Sequence, residues 1–429
     1  MSKGLGWRRW VLMAAVLCLV VLAVFTVLRL RTNRSLGLAA QEFRQAVGPV
    51  DLVELAPASV PPRRNAAHWL AKAMDFPKTA SKEDLLDLRT LAYQELGNLG
   101  EEDLRRGKEI LSHQSSTLEQ LHRMEGLTSS SFDLAYDEGH RMEIPNLLGV
   151  LNCGRLLLLE ARLALVEGEQ QKAWRSLAAM RSLADAVYGE PMLIFTLIGA
   201  ASERMLLLGV QDALLLGVED PSSWYQLVSL PTGDRYQDRF RGALNGEGAL
   251  AYWMAAHVDT GEGVGNSRGL LALGNPMHRV FTKRLVTAML SHYSQVNQSY
   301  PLGSFAELRA SSRLTRPSGE RLFQSFGPDF ELVAGRLKLN EAIGQVARLA
   351  LGLAADGDLA GEEQVEASRS DPFTGQPLEI AEQADGSLVI TLPEGTELWE
   401  TVFPSDQKET YRLFRWVVPA PAELTVSAL

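Results

Sequence analysis

With 429 residues, 46% of them apolar, the chain is long enough for two or three domains and can bury a sizeable core. Its net charge of −10 is spread along the sequence, which argues for solubility and against a nucleic-acid partner, since phosphate binding needs a basic face. Of its two cysteines, Cys18 lies in an apolar run and Cys153 far downstream, so no intrachain disulfide and no thiolate metal site is expected in the body.

Residues 10–28, WVLMAAVLCLVVLAVFTVL, carry no charge and are followed by Arg29, Arg31 and Arg34. As a helix they would span ~28 Å, close to the ~30 Å hydrocarbon core of a bilayer. A cleaved signal peptide has a shorter apolar region and a small-residue cleavage site. Here the nearest small pair, Ala39-Ala40, lies far downstream, so an uncleaved anchor is expected. Arg8 and Arg9 read as its charged flank rather than an export signal, and Trp7 and Trp10 suit the interfacial aromatic belt. Leu17 before Cys18 disfavours lipoprotein processing, and Val11 stands where a prepilin leader wants Glu. Lys3, Arg8 and Arg9 before the run balance Arg29, Arg31, Arg34 and Arg44 after it, so charge gives no orientation. Because an N-terminal anchor usually exports the chain behind it, the expected location is a bacterial inner membrane, single-pass, with the body periplasmic.

Residues 36–47 read as a juxtamembrane helix and 56–64, APASVPPRR, as a stiff Pro-rich spacer. Helical spacing continues over 65–76. Ser81 is a plausible N-cap with Asp84 in the capping-box position, and 101–126 reads as a further helical pattern. The strongest patterns are 146–166, 170–188 and 192–216, separated by Gly168 and by Gly189-Glu190-Pro191. The third is apolar nearly all round, hence buried. Helix, short turn and helix is the grammar of a hairpin stack, similar to a tetratricopeptide hairpin around Gly168 but without a recurring consensus. Helical patterns continue at 236–257, 278–296 and 340–355. Then Asp371-Pro-Phe-Thr-Gly-Gln-Pro makes a turn, and Leu378-Glu-Ile and 387–392 flank the Asp385-Gly386 hairpin signal. Further strands are expected at 397–403 and 411–418.

The Asp371 turn with its hairpin resembles the C-terminal β element of pseudopilin-like secretion proteins. Together with Asn65-Ala-Ala-His-Trp-Leu-Ala-Lys-Ala and the Glu167-Gly-Glu169 hairpin, it is similar to a broad set of uncharacterised bacterial envelope proteins with an N-terminal signal anchor. That resemblance implies architecture and location, and no activity.

No constellation survives a check of its context. Gly265-Asn-Ser267-Arg-Gly269 matches the nucleophile-elbow letters, but no strand precedes it and no acid lies between Ser267 and His292. Gly261, Gly263 and Gly265 lack a surrounding βαβ unit, so a phosphate cradle is not expected. His68, His113, His122, His140, His257, His278 and His292 form no metal-binding spacing. Glu101-Glu102-Asp103 favours a helix dipole, while Asp356/Asp358 and Glu362-Glu363 lack calcium-loop spacing. The Leu stripes of 151–166 and 192–216 read as core, interrupted by Arg155, Glu160, Arg162, Glu203 and Arg204.

The expected fold is therefore mainly α: a single transmembrane helix, an α-hairpin body and a small C-terminal β-rich module. The expected division is 1–35 cytoplasmic tip and anchor, 36–64 juxtamembrane helix and linker, 65–300 helical domain, 301–370 mostly helical connector, and 371–429 β module. No catalytic, cofactor-binding or metal residue is named. The expected partners are the membrane, through residues 10–28, and another protein. The expected role is an envelope scaffold or adaptor, and the alternative is an envelope hydrolase whose site assembles only in three dimensions.

Overall fold

Helix α1 runs without a break from Gly4 to Ala46. It belongs to a computed structural model that describes residues 4–229, 235–258, 276–300, 304–310, 330–356, 371–392 and 415–419. The juxtamembrane helix expected at 36–47 is the inner end of this same rod, so the expected boundary at 35/36 falls inside one helix. The reason is local: between Arg29 and Ala46 there is no proline, and Ser35 turns its hydroxyl back to the Arg31 carbonyl at 3.0 Å. The outer part is bare and apolar, with Trp10 71% exposed, and is long and apolar enough to cross a membrane. The inner part buries Leu36, Ala39, Ala40 and Phe43, the i, i+3, i+4, i+7 spacing of one helix face.

Leu147–Val166 (α7), Gln170–Tyr188 (α8) and Leu193–Leu215 (α9) pack on one another and hold the centre of the core. Asn146 caps α7 by accepting from the Gly149 amide at 3.2 Å. The α7–α8 turn needs Gly168, whose φ of 76° is in the left-handed region. Although α9 is apolar enough for a membrane span, 72% of its apolar window is buried in the body, so it is a core helix.

Leu52–Leu55 (α2), Ala66–Ala73 (α3), Lys82–Tyr93 (α4), Glu101–His113 (α5) and Ser115–His122 (α6) precede this centre. The pattern at 101–126 is thus two helices that break at Gln114. Asn65 fastens the start of α3: its Oδ1 accepts from the Ala67 and Ser131 amides at 3.0 Å, and its Nδ2 donates to the Ser131 carbonyl at 2.7 Å. Leu36, Phe43 and Leu52 before the Pro-rich segment share one apolar cluster with Ala66 and Leu70 after it. The segment at 56–64 is therefore an exposed strap along one core.

Pro221–Val228 (α10), Arg235–His257 (α11), Pro276–Ser299 (α12), Phe305–Ala310 (α13) and Phe330–Asp356 (α14) complete the helices among the described residues. The last begins ten residues before the expected 340. Helix α12 lies along α1. Lys283 Nζ donates to Asn33 Oδ1 at 3.1 Å and Asn297 Nδ2 to the Ala46 carbonyl at 2.7 Å. The sequence offset is 250 at the first contact and 251 at the second, so the two helices run parallel and in step.

Glu379–Glu382 (β1), Leu388–Thr391 (β2) and Arg415–Val418 (β3) form an antiparallel sheet in the order β1-β2-β3. Asp385-Gly386 makes the expected turn, with Gly386 at φ 82°. The strand expected at 397–403 lies outside the described residues. The sheet is seated in the helical core. Trp416 is fully buried, and β3 packs on α9 and α14, with Gln211 Nε2 donating to the Arg415 carbonyl at 2.9 Å. The Asp371 turn docks on α13: the Phe305 and Ala306 amides donate to the Pro372 and Phe373 carbonyls at 3.1 Å, and Phe373 stacks on Phe305.

Candidate functional site

The elbow letters around Ser267, the glycines at 261–265, and Asp358, Glu362 and Glu363 lie outside the described residues. Of the histidines, His68 meets Trp69 edge-on, and His113 Nδ1 stands 3.4 Å from Asp84, whose main partner is Arg106 at 2.7 Å. His140 packs against Trp253, and His257 Nδ1 is 2.9 Å from the Trp253 carbonyl. His292 is buried, and the His278 side chain lies outside the described residues. Among the described residues no three of His, Cys, Asp and Glu converge as a metal site would need.

His122 comes nearest to catalytic geometry. Its Nε2 is 2.7 Å from Glu160 Oε2, and Ser176 Oγ donates to the same oxygen at 2.8 Å. The order is wrong for nucleophile activation, because the carboxylate stands between hydroxyl and imidazole. Here the carboxylate joins α6, α7 and α8. Glu101-Glu102-Asp103 opens α5, where Asp103 accepts from the Gly100 amide at 3.0 Å.

The five charges that interrupt the Leu stripes are where the chemistry concentrates. Arg155 donates to Asn152 at 2.6 Å. Arg162 and Asp212, both fully buried, pair at 2.9 Å. Arg162 also donates to the Leu91, Ala92 and Gln94 carbonyls at the end of α4, which would otherwise be orphaned.

Glu203 and Arg204 lead to a larger cluster shared by α8, α9, α11 and α14. Arg239 Nη1 lies 3.0 Å from both oxygens of Glu203, with the two side chains 5% and 4% exposed. Tyr188 and Asn340 also donate to Glu203, each at 3.0 Å. The Arg239 guanidinium lies 3.5 Å over the Tyr188 ring. Further out, Asp185 takes Arg181 at 3.0 Å, Arg239 at 3.3 Å, and Arg235. Arg204 donates to Asn340 Oδ1 at 3.0 Å. Burial alone would raise the Glu203 carboxyl. Arg239, Arg181 and the Asn340 amide outweigh it and hold Glu203 below the usual carboxylate range. Burial, with Arg239 and Arg181 nearby, pushes Arg235 down, yet a guanidinium stays protonated at neutral pH.

This arrangement has no group poised to take or give a proton. Its guanidiniums are permanent cations and its carboxylates are ion-paired. What it does is clamp four helices by charge and hydrogen bonds. The residues belong to helices far apart in sequence, so only Glu203 and Arg204, as charges inside an apolar run, signalled the cluster.

A half-buried carboxylate outside this cluster answers to pH. Glu247 on α11 accepts from the Leu193 amide at the start of α9, and burial lifts its pKa to about 6 from 4.5. A raised carboxyl favours folding fully below its unfolded pKa and loses that contribution as pH rises through about 6. Glu247→Gln, which keeps the acceptor, is expected to stabilise the chain by about 1–2 kcal/mol at pH 7.5 and by little at pH 4. Thermal melts of both proteins at the two pH values check this.

Compared with known proteins, the chain matches no family profile, no curated protein and no solved structure.

Proposed function

We propose that the chain is a membrane-anchored scaffold of the bacterial envelope, with residues 10–28 as an uncleaved anchor, the body extracytoplasmic, and a protein partner bound on the helical or sheet surface. The observation that supports it is the double character of α1. Its outer part is exposed and apolar, whereas Phe43, on the same unbroken rod, is fully buried. Ala39 and Ala40, the nearest small pair of the kind a signal peptidase cuts, are buried against the core. A helix that is both anchor and core holds the body at one fixed attitude to the bilayer, which suits a platform better than a tethered, freely turning domain. The α7–α8 hairpin, similar to a tetratricopeptide unit, offers a surface for helix docking, and the sheet offers strand addition.

Carbonate and high-salt washes of a membrane pellet test the anchor. The intact chain is expected to stay in the pellet with its mature N-terminus before residue 10; release, or an N-terminus beyond Arg34, defeats the reading. Pull-down with the detergent-solubilised full chain tests the scaffold. A stoichiometric partner is expected, and turnover of ester or glycan substrates in the absence of one would replace the scaffold with the hydrolase.

A further inference from the structure

We propose that the cleft between α8 and α10 is where the scaffold grips its protein partner, and that it receives a lysine or arginine side chain from a basic, partly apolar segment. This rests on the scaffold reading above and specifies the chemistry of the partner.

The cleft holds about 360 Å³, within the roughly 300–1,000 Å³ typical of small-ligand pockets. Trp174 and Trp224 supply aromatic walls, Gln171 and Ser223 polar ones, and Glu219 and Asp220 the charge. The walls are tied together before any ligand arrives. Gln170 bridges them, its Oε1 accepting from the Glu219 amide at 2.9 Å and its Nε2 donating to the Gly217 carbonyl at 2.8 Å. The Trp174 indole donates to the Ser223 carbonyl at 3.1 Å. A ligand therefore meets a shape that costs little to organise.

The lining has two carboxylates and no cation. Asp220 is committed to the start of α10, where it accepts from the Ser222 and Ser223 hydroxyls and offsets the positive end of that helix. Glu219 is different: its carboxylate is exposed and has no ion-pair partner among the described residues. The cations around the α7–α8 turn, Lys108, Lys172 and Arg175, are already paired with Glu167, Glu169 and Glu125. An incoming cation gains an indole face and the Glu219 carboxylate together, whereas an anion would meet like charge. Beside Gly217, at the ends of α7 and α9, Val166, Leu215 and Leu216 are 42%, 44% and 43% exposed. They form an apolar ledge for the rest of the segment.

Topology decides between the bilayer and a water-borne partner. Along α11, Gly248 meets Phe43 and Asn245 meets Gly48. On the same helix Glu247 accepts from the Leu193 amide and Arg239 pairs with Glu203. Both α1 and α9 therefore run opposite to α11, and in the same sense as each other. The exposed apolar part of α1 leaves past the start of α9. Gly217 and the cleft lie past its other end, about 35 Å along the 23-residue helix. The cleft is thus on the side of the body remote from the apolar run.

Fluorescence anisotropy with the full-length chain in nonionic detergent tests this. The probe is a labelled, acetylated and amidated peptide of alternating arginine and leucine, with binding to protein-free micelles subtracted. Two controls replace every arginine with glutamine or with glutamate. The arginine peptide is expected to bind at least tenfold more tightly than either control, by a margin that shrinks as salt is raised. Glu219→Gln is expected to weaken it about fivefold and Gln171→Glu to strengthen it about twofold, with unchanged thermal melts because both side chains are exposed. Equal binding of probe and controls, or unaltered affinity in Glu219→Gln, overturns the proposal. So does displacement of the probe by a neutral N-acetylglucosamine hexamer at equal concentration, which would make the cleft a glycan site. A partner captured equally by the parent and by Glu219→Gln would strike this site and leave the scaffold reading standing. A chain that captures no partner yet still prefers the arginine peptide would strike the scaffold reading alone.

Discussion

Glu203→Ala is expected to cost the full-length chain about 3–5 kcal/mol of folding free energy, because it leaves the buried Arg239 with only the longer contact to the more exposed, already shared Asp185. Asn340 and Tyr188 lose their acceptor in the same step. Replacing both charges with apolar residues of similar volume, Glu203→Leu with Arg239→Met, is expected to recover much of the loss, since neither charge then has to be desolvated. Urea titrations in nonionic detergent, followed by circular dichroism, measure all three proteins. A single-variant cost below about 1 kcal/mol would mean that water reaches the cluster and that it clamps nothing. The pH behaviour is opposite in sign to that of Glu247. Glu203 is held below its ordinary value, so its contribution is present above the unfolded carboxyl pKa of 4.5 and is lost as pH falls through the folded one.

Phe43→Ala should be about as costly, roughly 3–5 kcal/mol, and its effect should be concentrated where α1 meets the body. Phe43 is fully buried and seats over Gly248 of α11, where an added Cβ would stand 2.3 Å from Phe43 Cζ. Gly248→Ala alone is therefore expected to displace the ring and loosen α1. In Phe43→Ala the space for that Cβ exists, so the two changes together should cost less than their sum. Limited proteolysis with mass mapping reads the consequence: cuts between residues 36 and 64 should appear in each single variant and be slow in the parent. Strict additivity, or unchanged protection of that stretch, would show that α1 is held by α12 alone and that the seat on α11 is incidental.

Local features were legible from residue order because their causes are local. The charge-free run 10–28, the Ser81 cap, the glycine at 168 and the Asp385-Gly386 turn each depend on a few neighbouring residues, and the structure has the helices and the hairpin they indicate. A boundary at 35/36 mistakes a change of exposure for a change of conformation. The helix has no reason to stop there, and only its surroundings alter. The long 101–126 pattern hid a break at Gln114, which neither glycine nor proline marks.

The sequence by itself determined that this protein is mainly helical, with one stretch fit for a bilayer and a small hairpin near the end. Tertiary structure alone decided which charges meet. Glu203 finds Asn340 across 137 residues, and Lys283 finds Asn33 across 250. A helical repeat says which face is apolar, but it carries no information about which other helix will lie against that face, or at what height. Those partnerships come from packing many faces at once, and the buried clamp exists only after that packing is complete.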